Sequence, residues 1–325
     1  MKILFIGGTG VISSACSQLC SEKGYDLVLL NRGTSFRSAP KDAEIIHVDI
    51  RNVDAAKNAI GNRTFNVVVD WIAYNKEHVE NDFNLFRDKT DQYIFISSAS
   101  AYQKPVQKLP ITEETPLENP FWSYARAKID CENFLMKAYH GKKFPVTICR
   151  PSHTYDKTKN PIRSDYLLFH RMKLGKKIII HDDGNSLWTV THARDFAKGF
   201  IGLLGNSQTI GEAYQITSDE VLSWNKIAKI LTVKAGYDLD IAHLPSSFIF
   251  QYDKEWGEGL LGDKANNAVF DNSKIKNLVT GFTATIPFSQ GAEEIVEWYS
   301  DPKNQIVDQK LDELMDKMIK DYYSK

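Results

Sequence analysis

A tyrosine followed four residues later by a lysine can carry both side chains on one face of a helix. The ammonium then favours the phenolate of a group that otherwise titrates near pH 10, so the tyrosine can donate or accept a proton near neutrality. In this sequence of 325 residues the spacing occurs at Tyr124, Tyr139, Tyr155 and Tyr299. Their surroundings separate them. Tyr299–Lys303 contains Pro302, Tyr155–Lys159 runs into Pro161, and Tyr139–Lys143 spans Gly141 just ahead of Pro145. Only Tyr124–Lys128 lies inside a sustained helical pattern, Ser123 to Lys137. Upstream, the apolar run Tyr93–Ile96 opens into Ser97-Ser98-Ala99-Ser100. A hydroxyl at the carboxyl end of a strand stands where ligands bind to an open α/β sheet. Tyr124 and Lys128 are therefore the candidate proton-transfer pair. One of the hydroxyls in this serine run could hold a substrate oxygen while Tyr124 moves the proton, although a serine-rich turn is often only a turn.

Such a group needs a partner for redox chemistry, and the amino terminus offers a place for one. Gly7-Gly8-Thr9-Gly10-Val11-Ile12-Ser13 follows the apolar run Ile3–Ile6 and precedes apolar residues at helical spacing, Ile12, Ala15, Cys16 and Leu19. At a strand–helix junction, glycines let the backbone approach a pyrophosphate at the helix N-terminus. Ser13 stands where the third glycine of the pattern is usual. After the second apolar run a carboxylate would normally bind the adenosine ribose of NAD. Here Asn31 is followed by Arg32, with Arg37 close behind, which suits the 2′-phosphate of NADP. Asp49 is placed to meet the adenine edge.

These motifs need a scaffold, and the hydrophobic pattern describes one. Ile3–Ile6, Leu27–Leu30, Ile45–Val48, Val67–Val69, Tyr93–Ile96 and Val146–Cys149 are short, rich in β-branched residues and separated by helix-like segments. Near-continuous apolar strands alternating with helices predict a Rossmann-like, doubly wound parallel sheet of the α/β class, with a smaller C-terminal α+β substrate domain. The expected division is a dinucleotide-binding domain over 1–155, to which 186–215 returns. Residues 156–185 and 216–325 form the substrate domain and a C-terminal helix. Trp224–Ala235 reads as a helix, Pro245–Asn267 as irregular, and Val307–Met318 as an amphipathic helix.

Composition removes several other functions. Hydrophobic residues make up 42% and charged residues 25%, which excludes wholesale disorder. Forty basic against forty-one acidic side chains leave a formal charge of −1, and this argues against nucleic acid or an anionic membrane as partner. Four cysteines without a CxxC pair argue against a zinc cluster or a disulfide framework and point to a reducing, cytoplasmic location. The first apolar run is broken by glycine after four residues, too short for a signal peptide, and nothing approaches a membrane span.

Taken together, the loop at Gly7–Ser13, Phe95-Ile-Ser-Ser-Ala-Ser-Ala-Tyr102 and Tyr124-Ala-Arg-Ala-Lys128 resemble the NAD(P)-dependent epimerase/dehydratase family of the extended short-chain dehydrogenase/reductase superfamily. Arg150-Pro151, Asp183-Gly184 through His192-Ala-Arg-Asp195, Phe270–Lys274 and Val296–Tyr299 extend the resemblance over nearly the whole chain. It implies Tyr124 as proton donor and acceptor, Lys128 on the nicotinamide ribose, and Ser98 orienting substrate. It also implies a dinucleotide site formed by Gly7, Thr9, Gly10, Val11, Ile12, Asn31, Arg32, Asp49, Ile50, Ile72, Ala73 and Pro151, together with Tyr124 and Lys128. Ser100, His153 and Trp188 are candidate substrate contacts, no metal is expected, and a homodimer follows by analogy. Members that bind nucleotide sugars commonly carry Asn at the position of His153, Arg at Trp188 and Gln at Ser186. Loss of that arginine removes an obvious diphosphate clamp.

The expected activity is hydride transfer at a carbonyl or hydroxyl carbon of a sugar nucleotide or related substrate. The alternative within enzymes is an NADPH-dependent reductase of a smaller carbonyl compound. A third possibility of another class is RNA binding, because the stretch around His192–Asp195 is similar to the branch containing chloroplast stem-loop RNA-binding proteins.

Overall fold

Residues 1–324 are described by the computed structural model. Each apolar run is a strand: β1 (Lys2–Ile6), β2 (Asp26–Asn31), β3 (Glu44–His47), β4 (Phe65–Asp70), β5 (Thr90–Ile96) and β6 (Val146–Pro151). A seventh strand, Ala213–Ile216, completes a parallel sheet in which it lies beside β6, followed by β5, β4, β1, β2 and β3. Between the strands run α1 (Val11–Glu22), α2 (Val53–Ile60), α3 (Lys76–Phe86) and α4 (Ser123–Lys142). The strand order reverses at β1, which pairs with β2 on one edge and β4 on the other, and this opens a crevice at the carboxyl ends.

Strand side chains alternate between two cores. Ile3, Phe5, Leu27, Leu29, Val67 and Val69 face the layer holding Phe196 and Phe200, while Leu4, Ile6, Val28 and Val68 face that of Phe83, Phe86 and Leu135. A third core, around Tyr155, Trp188, Trp224, Ile227 and Phe288, belongs to the elements after β6. There the strands Ile178–His181 and Ile241–Leu244 pair in parallel, and helices Trp224–Ala235 and Phe288–Ser300 pack against each other.

Pro245–Asn267 is not irregular. It forms helices Ser246–Tyr252 and Lys254–Gly259 and a π-turn at Leu260–Lys264. Ile249, Trp256 and Leu260 recur at near-helical spacing and are buried against Met315 and Met318 of the final helix, Gln309–Tyr323. Glycines masked the pattern, and one of them is needed for packing. A Cβ on Gly257 would stand 2.3 Å from the Cα of Phe250, so only glycine lets the two short helices approach.

The position of α4 is set by a buried ion pair. Glu132 accepts three hydrogen bonds from Arg150, Nε to Oε1 at 3.0 Å and to Oε2 at 3.2 Å and Nη2 to Oε2 at 2.6 Å, and a fourth from the Ser97 hydroxyl. Both charged side chains are almost wholly excluded from solvent. Arg150 lies over the Tyr102 ring, 4.9 Å from its centre, and also donates to the carbonyl of Glu113. One carboxylate thus ties α4 to the ends of β5 and β6. Removing one partner of a buried pair strands the other charge, at a cost of about 3–5 kcal/mol. Glu132→Ala is expected to lose that much stability in urea denaturation, and a loss below about 1 kcal/mol would show that the pair does not hold α4.

Candidate active site

The loop after β1 can receive a phosphate backbone closely. Gly7 and Gly8 have φ of +106° and +94°, and a Cβ on Gly8 would stand 2.7 Å from Leu29 Cδ2. Ser13 does work a glycine would not: its hydroxyl accepts from the Gly10 N–H at 2.7 Å and closes the first turn of α1. Ser17 deeper in the helix donates to the carbonyl of Gly8 at 2.8 Å. Gly7, Thr9, Gly10, Val11, Ile12, Asn31, Arg32, Asp49, Ile50 and Ile72 all line one cavity of about 360 Å³. Ala73 and Pro151 do not. Ala73 is buried and offers only its carbonyl, and Pro151 lines the neighbouring cavity around Tyr124.

At the adenosine end, the Asn31 amide oxygen accepts from the Gly33 N–H at 2.9 Å. Arg32 is exposed, with a guanidinium nitrogen 3.9 Å from the Asp49 carboxylate. Arg37 does not fold back to this site. It donates to Asp156 at 3.3 Å and to the Thr158 hydroxyl, joining the loop after β2 to a loop beyond β6.

The second cavity, about 320 Å³, is lined by Ser98, Ser100, Tyr124, His153 and Trp188, with Trp122, Asp263 and Lys264 completing the wall. Helix α4 delivers Tyr124 from one side and the end of β5 delivers Ser98 from the other. The Ser98 and Ser100 hydroxyls are 2.8 Å apart, and Ser98 also caps the short turn Ala99–Ala101 by accepting from the Ser100 N–H. Lys128 lies behind this cavity, 2% exposed, and donates to the carbonyls of Ala73 at 2.6 Å and Ile96 at 2.8 Å. Its ammonium is 5.7 Å from the centre of the Tyr124 ring. Asp70 sets this up: it accepts from the N–H groups of Ile72 and Ala73 at 2.7 and 2.9 Å, which holds the Ala73 carbonyl toward the lysine.

Burial governs how both groups titrate. It holds the Tyr124 phenol above its ordinary range, the Ser98 hydroxyl pulls it back, and Asp263 adds to the rise. It brings the Lys128 ammonium down to about 8, opposed by the nearby charge of Asp70. The lysine's donors point at strand-end carbonyls rather than at the phenol oxygen.

Trp188 and Ser186 occupy positions that depart from the nucleotide-sugar pattern, and both serve the loop opposite. The Lys264 carbonyl accepts from Ser186 Oγ at 2.8 Å, Trp188 Nε1 at 3.0 Å and Trp224 Nε1 at 3.2 Å, with His181 Nε2 also at 3.0 Å. Trp188 Nε1 further reaches the Asn266 carbonyl at 2.9 Å. The indole is therefore a wall whose polar edge is committed to protein. This clamp places Asp263 and Lys264 in the cavity, where the sequence offered no sign of them, since they lie in the stretch read as irregular. Trp122, two residues before Tyr124 and 4.9 Å from its ring, shared a helix start with a residue already singled out.

The family model described as the NAD dependent epimerase/dehydratase family matches residues 3–217. Among curated proteins, the chain is 28% identical over 265 residues to the chloroplast stem-loop binding protein of 41 kDa b from Arabidopsis thaliana, covering 77% of this chain and 68% of that one. It is 23% identical over 214 residues to dTDP-D-glucose 4,6-dehydratase of Homo sapiens, covering 65% and 57%. Among solved structures, epimerase Mth375 from Methanothermobacter thermautotrophicus superimposes with a TM-score of 0.76 at 15% identity over 92% of each chain. UDP-glucuronic acid 4-epimerase from Bacillus cereus, solved with UDP-glucuronic acid and NAD, gives 0.75 at 20% identity over 92% and 99%. No helix among the described residues is long and apolar enough to cross a membrane.

His153 faces the rings of Trp188 and Trp224 edge-on, with Lys264 and Lys159 nearby, and burial with those two charges brings its imidazole down to about 3. In the unfolded chain it would titrate near 6.5. Its contribution to stability is therefore complete above pH 6.5 and lost as pH falls from there toward 3. The expected NMR result is a His153 ring signal that does not move between pH 5 and 8, and a midpoint within that range would contradict a neutral imidazole.

Proposed function

For a chain that belongs to the NAD dependent epimerase/dehydratase family and is an oxidoreductase of that family, we propose hydride transfer at a hydroxyl-bearing carbon of a sugar nucleotide, with Tyr124 as the proton-transfer group. The observation that carries this reading is one cavity holding Ser98 and Tyr124 together, with Lys128 fixed directly behind and the glycine loop alongside. The cradle at Gly8, which a Cβ would fill, fits a dinucleotide. Thr9, Gly10, Val11 and Ile12 would hold its phosphates, Asn31, Arg32 and Asp49 its adenosine half, and Lys128 its nicotinamide ribose. When bound, the dinucleotide supplies the group that accepts or returns the hydride.

The rest follows from the chain's own side chains. Ser98 donates to the substrate oxygen and limits its orientation. Tyr124 takes the hydroxyl proton as the carbon is oxidised and returns it when the carbonyl is reduced. A buried tyrosine beginning above its ordinary pKa needs help to lose a proton. Lys128, whose ammonium burial brings down to about 8, is still mainly charged at neutral pH. It would turn from its carbonyls toward the nicotinamide ribose once the dinucleotide is bound, and its charge then favours the phenolate of Tyr124.

Substrate length favours a nucleotide-linked sugar over the smaller carbonyl compound. Beyond Trp122, His153, Thr154 and Lys264, the Tyr124 cavity continues into a compartment of about 390 Å³. That compartment carries Lys159 and Arg163 with the aromatic rings of Trp224 and Trp256. Lys159 is paired with Asp165 at 2.8 Å and Arg163 with Asp253 at 3.0 Å. In this reading both would turn to the substrate diphosphate in place of the arginine missing at Trp188. A reductase of a small carbonyl compound would leave this second compartment unused.

Two measurements test the proposal. Tyr124→Phe keeps the ring and deletes the transferable proton, so turnover of the sugar nucleotide that stabilises the protein in a thermal-shift panel should fall about 10²–10⁴-fold with dinucleotide affinity unchanged. Near-normal turnover would remove Tyr124 from the mechanism. The second concerns NADP, which we propose is preferred over NAD because Asn31 is neutral and Arg32 is exposed at the ribose end. Arg37 is engaged elsewhere, so the preference rests on Arg32 and should be about tenfold, the lower end for a charged hydrogen bond. Calorimetry of dinucleotide-free protein should show this ratio and its reversal in Asn31→Asp/Arg32→Ala, and equal or tighter NAD binding by the unaltered protein would refute it.

A further inference from the structure

On the flank of the sheet away from Tyr124 lies a groove of about 770 Å³, larger than either compartment of the catalytic cleft. Its floor is apolar, formed by Val11, Ala15 and Leu19 of α1 and by Ala193 and Ala197 of the helix Ala193–Ile201 that packs against it. Two aromatic rings stand at its rim. Phe36 is 70% exposed, and its ring centre is 6.4 Å from that of Trp298, with the planes 30° apart.

Each ring carries a cation. The Arg37 guanidinium lies 4.7 Å from the Phe36 centre, and the Lys157 ammonium lies 5.3 Å from that of Trp298. Arg37 is fixed by Asp156 and Thr158, and Arg194 by Glu294, whereas Lys157 forms no ion pair among the described residues. An exposed Phe36 ring and a half-buried Trp298 ring, each beside a cation and over an apolar floor, suit a base with an attached phosphate. Stacking on an aromatic side chain contributes about 1–3 kcal/mol per base and tolerates any base, and the cation meets the phosphate. Loops around Phe36 and Lys157 and the helices carrying Arg194 and Trp298 supply these groups, so no linear motif announces them.

We propose that this groove is a second nucleotide site, which stacks a base on Phe36 and Trp298 and holds its phosphate with Lys157. Both a free mononucleotide and one unit of a single-stranded nucleic acid carry that chemistry. The lining cations Arg37, Lys157, Arg194 and Lys198 barely outnumber the carboxylates Glu22, Asp156 and Glu294. Phosphate attraction is accordingly modest, and the rings provide most of the affinity.

The test uses the full chain with one equivalent of NADP, so that the glycine loop is filled without free dinucleotide competing for the groove. AMP, adenosine and a ten-residue oligouridylate are titrated by calorimetry and by tryptophan fluorescence. AMP or the oligonucleotide should bind, Trp298→Ala should weaken binding at least tenfold, and Phe36→Ala should weaken it several-fold. Lys157→Ala should weaken AMP but not adenosine. Phe36 and Lys157 are exposed, so those variants should keep dinucleotide affinity, which confirms that they are folded. AMP binding as tightly as the oligonucleotide assigns the site to free nucleotides, while an oligonucleotide at least tenfold tighter, with affinity falling as salt rises, assigns it to single strands. The proposal is overturned if neither AMP nor oligonucleotide binds the dinucleotide-saturated protein, or if binding is unchanged in both Phe36→Ala and Trp298→Ala.

Discussion

The buried pairing of Glu132 with Arg150 is the constraint from which the geometry around Tyr124 follows. Tyr124, Lys128 and Glu132 are four residues apart along α4 and share one helix face. Glu132 is the end of that series that cannot move, because Arg150 comes from the tip of β6 and Ser97 from the tip of β5. Two desolvated charges add little net stability, and an apolar pair of similar volume would serve the core as well. What a two-pronged ion pair adds is register. It admits one rotation and one height of α4 over the sheet, and Tyr124, two turns away, inherits both.

A second chain of contacts works from the other side. Asp70 shapes the turn after β4 through the N–H groups of Ile72 and Ala73, and the Ala73 carbonyl then receives Lys128 together with that of Ile96. The lysine is thereby held between the ends of two strands, close to the phenol without being directed at it. Burial works against the charged form of both groups, lowering the ammonium to about 8 and raising the phenol.

Much of this was legible in the sequence because a parallel sheet covered on both faces writes each strand as a short apolar run. Tyr124–Lys128 stood out from three identical spacings because proline and glycine disqualify the others. What stayed hidden depends on contacts between distant segments. Arg37 looked available to the adenosine phosphate, yet Asp156 and Thr158, more than a hundred residues later, take it away. Asp263 and Lys264 carry no local signal, and their stretch read as irregular because its glycines, needed for helix contact, resemble turn residues. The absence of an aromatic–basic motif along the chain likewise said nothing about Phe36, Arg37, Lys157 and Trp298, which only the fold brings to one rim.

The clamp around Lys264 has a consequence for how such a cavity diverges. Ser186, Trp188, Trp224 and His181 all converge on the main-chain oxygen of that residue, an atom every amino acid possesses. Because this grip is on the main chain, the Lys264 side chain, which lies over Trp122 and Trp188 and pairs with Asp263, can be exchanged while the clamp on its carbonyl is kept. Charge, size and hydrogen-bonding character at the substrate wall can be exchanged one residue at a time, with the backbone as a fixed socket. New specificities can then arise by single substitutions that leave folding untouched, whereas a change of either tryptophan would release the loop and lose the old substrate before a new one is gained.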